Sequence, residues 1–170
     1  METYYRPSTR FITKYKHERL LMKYDKNKYV YLLEQEEILR NQGGSLYKAN
    51  QEDYLELLNY QVQLEDHNYW ENRQKYSSVI SDFLNGIITA EDFSDEFLYI
   101  SKKDRDLNEI TETNFEPDII SKEFSRLIEK VFSNCGIFEP ESDEDEEYKE
   151  KWLKNYIKKV FSEMQKFLKK

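Results

Sequence analysis

The sequence predicts an all-α protein, an antiparallel bundle of about four to five helices preceded by a basic N-terminal extension. Apolar side chains recur at steps of three and four along five segments after residue 49. Capping residues stand before most of these segments. The chain of 170 residues has only four glycines and three prolines, while glutamate, lysine and leucine are abundant. That composition favours helix over sheet.

The clearest prediction is an αα-hairpin between Tyr69 and Ile100. Gly86 ends its first helix, because glycine adopts the left-handed conformation without a Cβ penalty. Thr89 caps the second helix through its hydroxyl, with Asp92 at the reciprocal position. The apolar faces are Tyr76, Ile80, Phe83, Leu84 and Ile87 in the first helix, and Phe93, Phe97 and Ile100 in the second.

Three further helices are expected around this hairpin. One begins at Asn50. It precedes the first helix of the hairpin, which Asn68 is expected to cap. Another begins at Pro117 or Asp118 and ends at Gly136. The last is the longest and should be central to the core. Their expected apolar residues are Leu55, Leu58 and Val62; Ile120, Phe124, Leu127, Ile128 and Val131; and Trp152, Leu153, Tyr156, Ile157, Val160, Phe161, Met164 and Leu168.

The segments between these helices are less regular. Residues 102–116 look too polar to bury anything and are expected to form an exposed connection. Near the N-terminus, Tyr29–Leu33 has strand propensity and Asn41–Gly44 is a turn. The preceding segment has the spacing of a weak amphipathic helix, with Phe11, Tyr15, Leu20, Leu21 and Tyr24 as its apolar residues.

The charge distribution divides the chain into a basic, tyrosine-rich arm (residues 1–48) and an acidic helical domain (residues 49–170). Residues 1–28 hold eight basic and three acidic side chains and have a net charge of +5. Since the whole chain has a net charge of −8, the other 142 residues have a net charge of −13. An acidic body repels nucleic acid and attracts basic proteins. Direct nucleic-acid binding is therefore expected only from the arm, whose bases and tyrosines can either hold RNA or wrap the acidic body.

The residues of known catalytic and metal sites are missing. His17 and His67 lack the neighbours of a zinc or di-metal site, and Cys135 has no histidine near it in sequence. No glycine-rich phosphate loop or nucleophile elbow occurs. We therefore expect a non-catalytic protein without cofactor or metal. A single cysteine and the lack of a long apolar run favour a cytoplasmic location.

The strongest candidate for a binding site is an acidic run next to aromatic residues. It lacks the glycine and ligand spacing of a calcium loop. One interpretation is a helix start that Ser142 caps, with acids that complement the helix dipole. The other is a negative surface that docks a basic partner through aromatic anchors. The candidate partner-binding residues are Glu139, Glu141, Asp143, Glu144, Asp145, Glu146, Glu147, Tyr148 and Trp152.

The order of these elements resembles a known family. The corner Asp82–Phe93, then Phe97-Leu98, the helix from Phe124 to Phe132, an acidic linker and a terminal amphipathic helix are similar to the bacterial self-protective colicin-like immunity proteins of the colicin D type. The resemblance covers about residues 69–170. It departs at Ser133–Gly136, where an acidic and aromatic segment is expected, and residues 1–68 have no counterpart.

The resemblance implies a helical bundle that neutralises a basic ribonuclease toxin by covering its tRNA-binding active site with an acidic surface. Carried over by position, that surface is the acidic run from Glu139 to Glu147. Similar domains look to be encoded in algal plastid genomes, so the expected location is the bacterial cytoplasm or the plastid stroma. The alternative function is an accessory subunit of a larger assembly that uses the bundle and the arm for protein contacts. An RNA-binding arm is a minor third hypothesis.

Overall fold

The computed structural model of the protein describes residues 23–106, 114–138 and 146–169, which form seven α-helices. These are α1 (Lys26–Asn41), α2 (Leu46–Ala49), α3 (Gln51–Glu71), α4 (Arg73–Leu84), α5 (Ala90–Arg105), α6 (Ile119–Gly136) and α7 (Glu146–Leu168). The described ranges contain no strand. The predicted all-α class is confirmed, and five helices follow residue 49 as expected.

The larger of two apolar cores is built by α4, α5, α6 and α7 with the end of α3. Helix α6 lies at its centre, because it packs against α3, α5 and α7. The apolar face of α7 packs onto α4 and α6. The fully buried side chains of this core include Tyr69, Tyr76, Ile80, Phe83, Phe93, Phe97, Ile128, Val131, Leu153 and Ile157.

The corner between α4 and α5 forms as the sequence predicts. Gly86 has a φ of +72° in the left-handed region. The hydroxyl of Thr89 accepts a hydrogen bond from the backbone N–H of Asp92 at 3.1 Å, which caps α5. The rings of Phe83 and Phe93 then stack with centroids 4.4 Å apart. This aromatic pair joins the two helices beneath the turn.

A smaller core lies between α1, α2 and the first half of α3. Tyr24, Tyr29 and Tyr60 pack there edge to face or tilted, at centroid distances of 5.6–6.2 Å. The side chain of Asp25 caps α1 by accepting hydrogen bonds from the N–H groups of Asn27 and Lys28. The remaining buried residues are Leu32, Leu46, Leu57 and Leu64.

The strand expected at Tyr29–Leu33 is wrong, because that segment lies inside α1. Tyrosine and valine favour strands only when a sheet is there to receive them, and here the cap at Asp25 and packing on α3 outweigh that local preference. The turn expected at Asn41–Gly44 is confirmed, with Gly43 at a φ of +78°.

Two details of α3 also differ from the prediction. The buried stripe is Leu57, Tyr60 and Leu64, whereas Val62 is exposed and Leu55 and Leu58 are half-buried. The helix faces the aromatic core that α1 supplies, so its buried side is rotated from the expected stripe. Asn68 does not cap α4: the chain stays helical to Glu71, and Asn72 takes the cap position.

The side chain of Asn68 instead donates a hydrogen bond to the backbone carbonyl of Asp104, at 3.1 Å. A residue suited to a cap is thus used to tie α3 to the end of α5. The expectation that Ile87 faces the core is also wrong, since this residue is 69% exposed in the corner. It follows the left-handed turn at Gly86, which redirects the chain.

The exposed connection expected at residues 102–116 is wrong at both described ends. Helix α5 continues to Arg105, and Asp104 is buried. After the undescribed residues 107–113, Phe115 stacks on Tyr24 at 4.7 Å and on the His67 ring at 4.3 Å. The backbone N–H of Tyr24 also donates to the carbonyl of Phe115 at 3.2 Å. The smaller core therefore includes this segment.

The helix expected from Phe11 to Tyr24 lies outside the described residues up to position 22. Besides the packing of the smaller core, ion pairs join residues 23–48 of the expected arm to the acidic body. Lys23 pairs with Glu116 at 3.1 Å, and Lys28 lies 3.6 Å from Asp53. Both are exposed or half-exposed pairs, which contribute little to stability.

Truncation of the corner should unfold the bundle. We expect Phe83→Ala and Phe93→Ala each to lower the free energy of unfolding by about 3 to 5 kcal/mol, because both rings are fully buried. Ile87→Ala, in the same corner but exposed, should change it by less than about 0.5 kcal/mol. Denaturant unfolding midpoints of the wild type and the three variants measure these changes. Midpoints of the two phenylalanine variants equal to that of the wild type would contradict the importance of this corner for the fold.

Candidate functional site

The predicted site residues fall into three groups in the structure. Tyr148 and Trp152 lie on the first turns of α7 with 66% and 40% of their surfaces exposed. Glu146 and Glu147 belong to the first turn of that helix. The remaining predicted acids lie outside the described residues: Glu139, Glu141, Asp143, Glu144 and Asp145.

The start of α7 lies at one end of the bundle, beside the α4–α5 corner and the end of α6. The ammonium of Lys154 is 5.8 Å from the centroid of the Phe83 ring, which places the third turn of α7 next to the end of α4. The thiol of Cys135, near the end of α6, contacts the hydroxyl of Ser94 near the start of α5. Residues 139–145 connect helix ends that are both found here.

Two exposed isoleucines belong to the same end of the bundle and were not among the predicted site residues. Ile87 stands in the α4–α5 corner and Ile137 follows α6, with 69% and 66% of their surfaces exposed. Phe138 beside the latter is half-buried against the main core. After a helix ends, the helical periodicity no longer places side chains on the apolar face. Glycines 86 and 136 mark such helix ends in the sequence.

Helix α5 begins two residues after Gly86-Ile87-Ile88 and exposes acidic residues on its first turns. Glu91, Asp92, Asp95 and Glu96 on the first two turns of α5 are exposed. Their position at a helix N-terminus also suits the positive end of the dipole. We call this surface the acidic end: the α4–α5 corner with the start of α5, Ile137, and the start of α7 with Tyr148 and Trp152.

Trp152 is held in place for contact. Its ring stacks on Tyr156 one turn later, with centroids 6.3 Å apart and planes 25° apart. Tyr156 in turn packs half-buried against the main core. A large aromatic side chain that is partly exposed but already ordered loses little conformational entropy on binding. Such residues dominate the binding energy of protein interfaces.

Cys135 lies near the acidic end and is a potential nucleophile. It is buried, and burial raises the pKa of its thiol to about 12, although Ser94 acts to lower it. A thiol with such a pKa is not a nucleophile near neutral pH. No group of three or more potential metal ligands occurs within residues 23–106, 114–138 and 146–169.

A separate, half-buried polar cluster lies where α3, α5 and α6 meet. Arg105 donates from Nε to the carboxylate of Glu65 at 2.7 Å and also pairs with Glu129 on α6. Its guanidinium lies 4.2 Å from the centroid of the Phe132 ring. Burial by itself lowers the pKa of Arg105, but Tyr69 and the two carboxylates raise it by more than burial lowers it. The net pKa is therefore raised, and the side chain stays cationic.

The neighbouring Asp104 completes this cluster. The Tyr76 hydroxyl donates a hydrogen bond to its carboxylate at 2.6 Å, and both residues are buried. A buried carboxylate is costly without such a donor. Because these groups pair with one another inside the fold, we assign them a structural role rather than a binding one.

Comparison of the chain with family models, with curated proteins and with solved structures finds no significant match. The resemblance to colicin D immunity proteins therefore stays a prediction from the sequence. None of the helices in the described ranges combines the length and the apolar character that a bilayer crossing needs.

Asp104 should make the stability of the protein depend on pH. Burial raises the pKa of its carboxyl, although the hydrogen bond from Tyr76 opposes this. A carboxyl with a higher pKa in the folded state favours folding when protonated, and this contribution is lost as the pH rises through the folded pKa. Asp104→Asn keeps an oxygen that can accept from Tyr76 and carries no charge.

We therefore expect the stability of Asp104→Asn relative to wild type to increase as the pH rises from about 4 to about 7, since 3.9 is roughly the unfolded pKa of aspartate. Asp95→Asn, at an exposed position on the same helix, is the control for the loss of one carboxylate. Urea unfolding at several pH values measures the difference. A difference that does not change with pH would show that burial leaves the carboxyl unperturbed.

Proposed function

We propose that this chain is a non-catalytic binding protein that neutralises a basic ribonuclease toxin domain through its acidic end. The observation that carries the proposal is the exposed pair Tyr148 and Trp152 on α7, at the end of the bundle where the acidic run joins it. Apolar anchors surrounded by acids are what a basic protein surface would contact.

The charges at this end favour a basic partner in two ways. Long-range attraction between the acids and a basic surface raises the association rate, which can exceed the uncharged value by orders of magnitude at low salt. At close range the acids around the anchors exclude acidic proteins, since like charges brought together cost several kcal/mol. A ribonuclease active site is basic because it binds RNA phosphates, so the same surface would compete with the substrate.

The anchors supply the affinity that surface charge alone does not. Exposed ion pairs contribute at most about 1 kcal/mol each, whereas a buried aromatic anchor contributes 2 kcal/mol or more. Trp152 stacks on Tyr156 before any partner arrives. Ile87 and Ile137 enlarge the apolar area from neighbouring elements. The proposed contact therefore has an apolar centre and a charged rim, which is the usual anatomy of an interface.

The second candidate function is that of an accessory subunit in a larger assembly, for example one of the plastid. Exposed apolar residues on the opposite lobe favour it: Tyr31 and Ile38 on α1 and Tyr47 on α2 are about half exposed. Such a subunit would use this lobe for contact with its neighbours. Each function therefore assigns the partner to a different end of the molecule.

Affinity purification of the tagged protein from its native host, followed by identification of the copurifying proteins, separates the two functions. A single basic nuclease, encoded next to this chain, supports toxin neutralisation. A large complex without a nuclease supports the accessory subunit and contradicts the first proposal.

For a purified partner we expect Trp152→Ala to raise the dissociation constant about 30-fold or more, since a hot-spot aromatic contributes roughly 2 kcal/mol. Tyr31→Ala is the matched control, an exposed aromatic on the other lobe, and should leave the constant unchanged. Titration calorimetry measures both. If only Tyr31→Ala weakens binding, the partner occupies the α1–α2 lobe and the acidic end is not the site.

A further inference from the structure

The outer face of α7 carries a row of lysines that neither the core nor the acidic end uses. Five positions at steps of three and four follow one side of the helix, and a sixth comes directly after it, so the row faces away from the core. All of these residues are exposed, and Lys159 lies beside the row. The row is Lys151, Asn155, Lys158, Ser162, Lys166 and Lys169.

The lysine face reverses the charge of the rest of the chain. Residues 148–169 hold seven lysines and two glutamates, a net charge of +5 in a chain of net charge −8. Glu163 lies among these lysines, and its carboxylate pairs with Lys130 of α6 at 3.7 Å. The five lysines of this face, Lys159 included, form no ion pair with any residue in the described ranges.

A shallow groove runs along this face. Its lining comes from one element only, so no other part of the described chain covers it. The lining residues are Asn155, Lys158, Lys159, Ser162, Glu163 and Lys166. From Lys151 to Lys169 the row extends for about 27 Å at the helical rise of 1.5 Å per residue.

We propose that this lysine face binds the phosphodiester backbone of single-stranded nucleic acid without reading its sequence. Lysine binds phosphate as a point charge, and the amide of Asn155 and the hydroxyl of Ser162 between the lysines are hydrogen-bond donors for phosphate oxygens. The row contains no arginine, which would give bidentate base recognition, and no aromatic side chain on which a base would stack.

The same composition argues against other anionic partners. A folded acidic protein is held by apolar anchors as well as by charge, and from Asn155 to Lys169 no apolar side chain is exposed. A flexible chain with regularly repeated charges needs only a line of cations. The row provides that line, and its straight course along one helix suits an extended strand.

The acidic remainder of the chain does not cancel this attraction. Lys166 stands 20 residues along α7 from Glu146, about 30 Å at the helical rise. The Debye length at physiological ionic strength is about 8 Å, so the acids at the start of α7 are largely screened from the far half of the row. The sequence analysis expects only the N-terminal arm to bind nucleic acid, because the rest of the chain has a negative net charge. Net charge does not take into account the distance between the acids at the start of α7 and the lysines further along it.

The experiment is fluorescence anisotropy of a labelled 20-nucleotide oligouridylate titrated with the full chain at several salt concentrations. If about four phosphates are neutralised, the logarithm of the association constant should fall with the logarithm of salt with a slope of about −3. The variant Lys151→Gln, Lys158→Gln, Lys166→Gln should bind about 10- to 100-fold more weakly at low salt and show a slope near −1.

The matched control is Lys48→Gln, Lys75→Gln, Lys102→Gln, which removes the same charge from exposed positions outside α7. It should retain nearly the wild-type affinity and slope. Equal losses in both variants would show that total charge and not this face holds the strand, and would overturn the proposal. So would wild-type binding in the α7 variant.

Two further titrations identify the anionic partner. Polyglutamate of similar charge and vesicles rich in phosphatidylserine should bind at least tenfold more weakly than the oligonucleotide. Equal or tighter binding of either would overturn the assignment to nucleic acid. No protein partner is present in these titrations, so failure of nucleic-acid binding would leave the proposed toxin neutralisation untouched.

Discussion

The half-buried ion cluster around Arg105 is the constraint that ties three helices of the bundle together. Its guanidinium on α5 is shared by Glu65 of α3 and Glu129 of α6. Arg105 and Glu65 have only 17% and 15% of their side-chain surfaces exposed, whereas Glu129 has 44%, so Glu65 is the more sheltered of the two partners. Both carboxylates reach the same guanidinium only when α3 and α6 lie on either side of the end of α5. Next to it, the Tyr76–Asp104 hydrogen bond fixes α4 against the end of α5.

This cluster lies away from the acidic end, and that separation has a consequence for function. The contacts that fix the fold are at the junction of α3, α5 and α6 and around the Phe83–Phe93 stack, whereas Tyr148, Trp152 and Ile137 are exposed at the start of α7 and the end of α6. Residues proposed to bind can thus be changed at little cost in stability. Helix α7 also separates the two proposed surfaces, acidic and aromatic at its start and basic along its outer face.

The sequence predicts the fold where local signals agree, and it fails where tertiary contacts decide. Gly86, Thr89 and the periodic phenylalanines are sufficient for the α4–α5 hairpin, because cap, turn and apolar face all indicate one structure. The predicted buried face of α3 is wrong because the true face is set by packing against the tyrosines of α1. The sequence of α3 by itself contains no information about that contact. The polar run at the end of α5 was expected to be exposed, but charges are buried when partners surround them, and Glu65 and Glu129 are distant in sequence. The sequence predicts Tyr148 and Trp152 as members of the candidate site. Ile87 and Ile137 are identified only from the structure, because their exposure depends on how the helices end.

The central claim is that the acidic end attracts a basic partner by charge and holds it by aromatic contact. The most direct test is the association rate with the copurified partner as a function of salt, for the wild type and for the variant Asp143→Asn, Glu144→Gln, Asp145→Asn, Glu146→Gln. We expect the wild-type rate to fall steeply with salt, and the variant to associate more slowly with a much weaker salt dependence while remaining folded. A folded variant whose rate and salt dependence equal those of the wild type would contradict the claim.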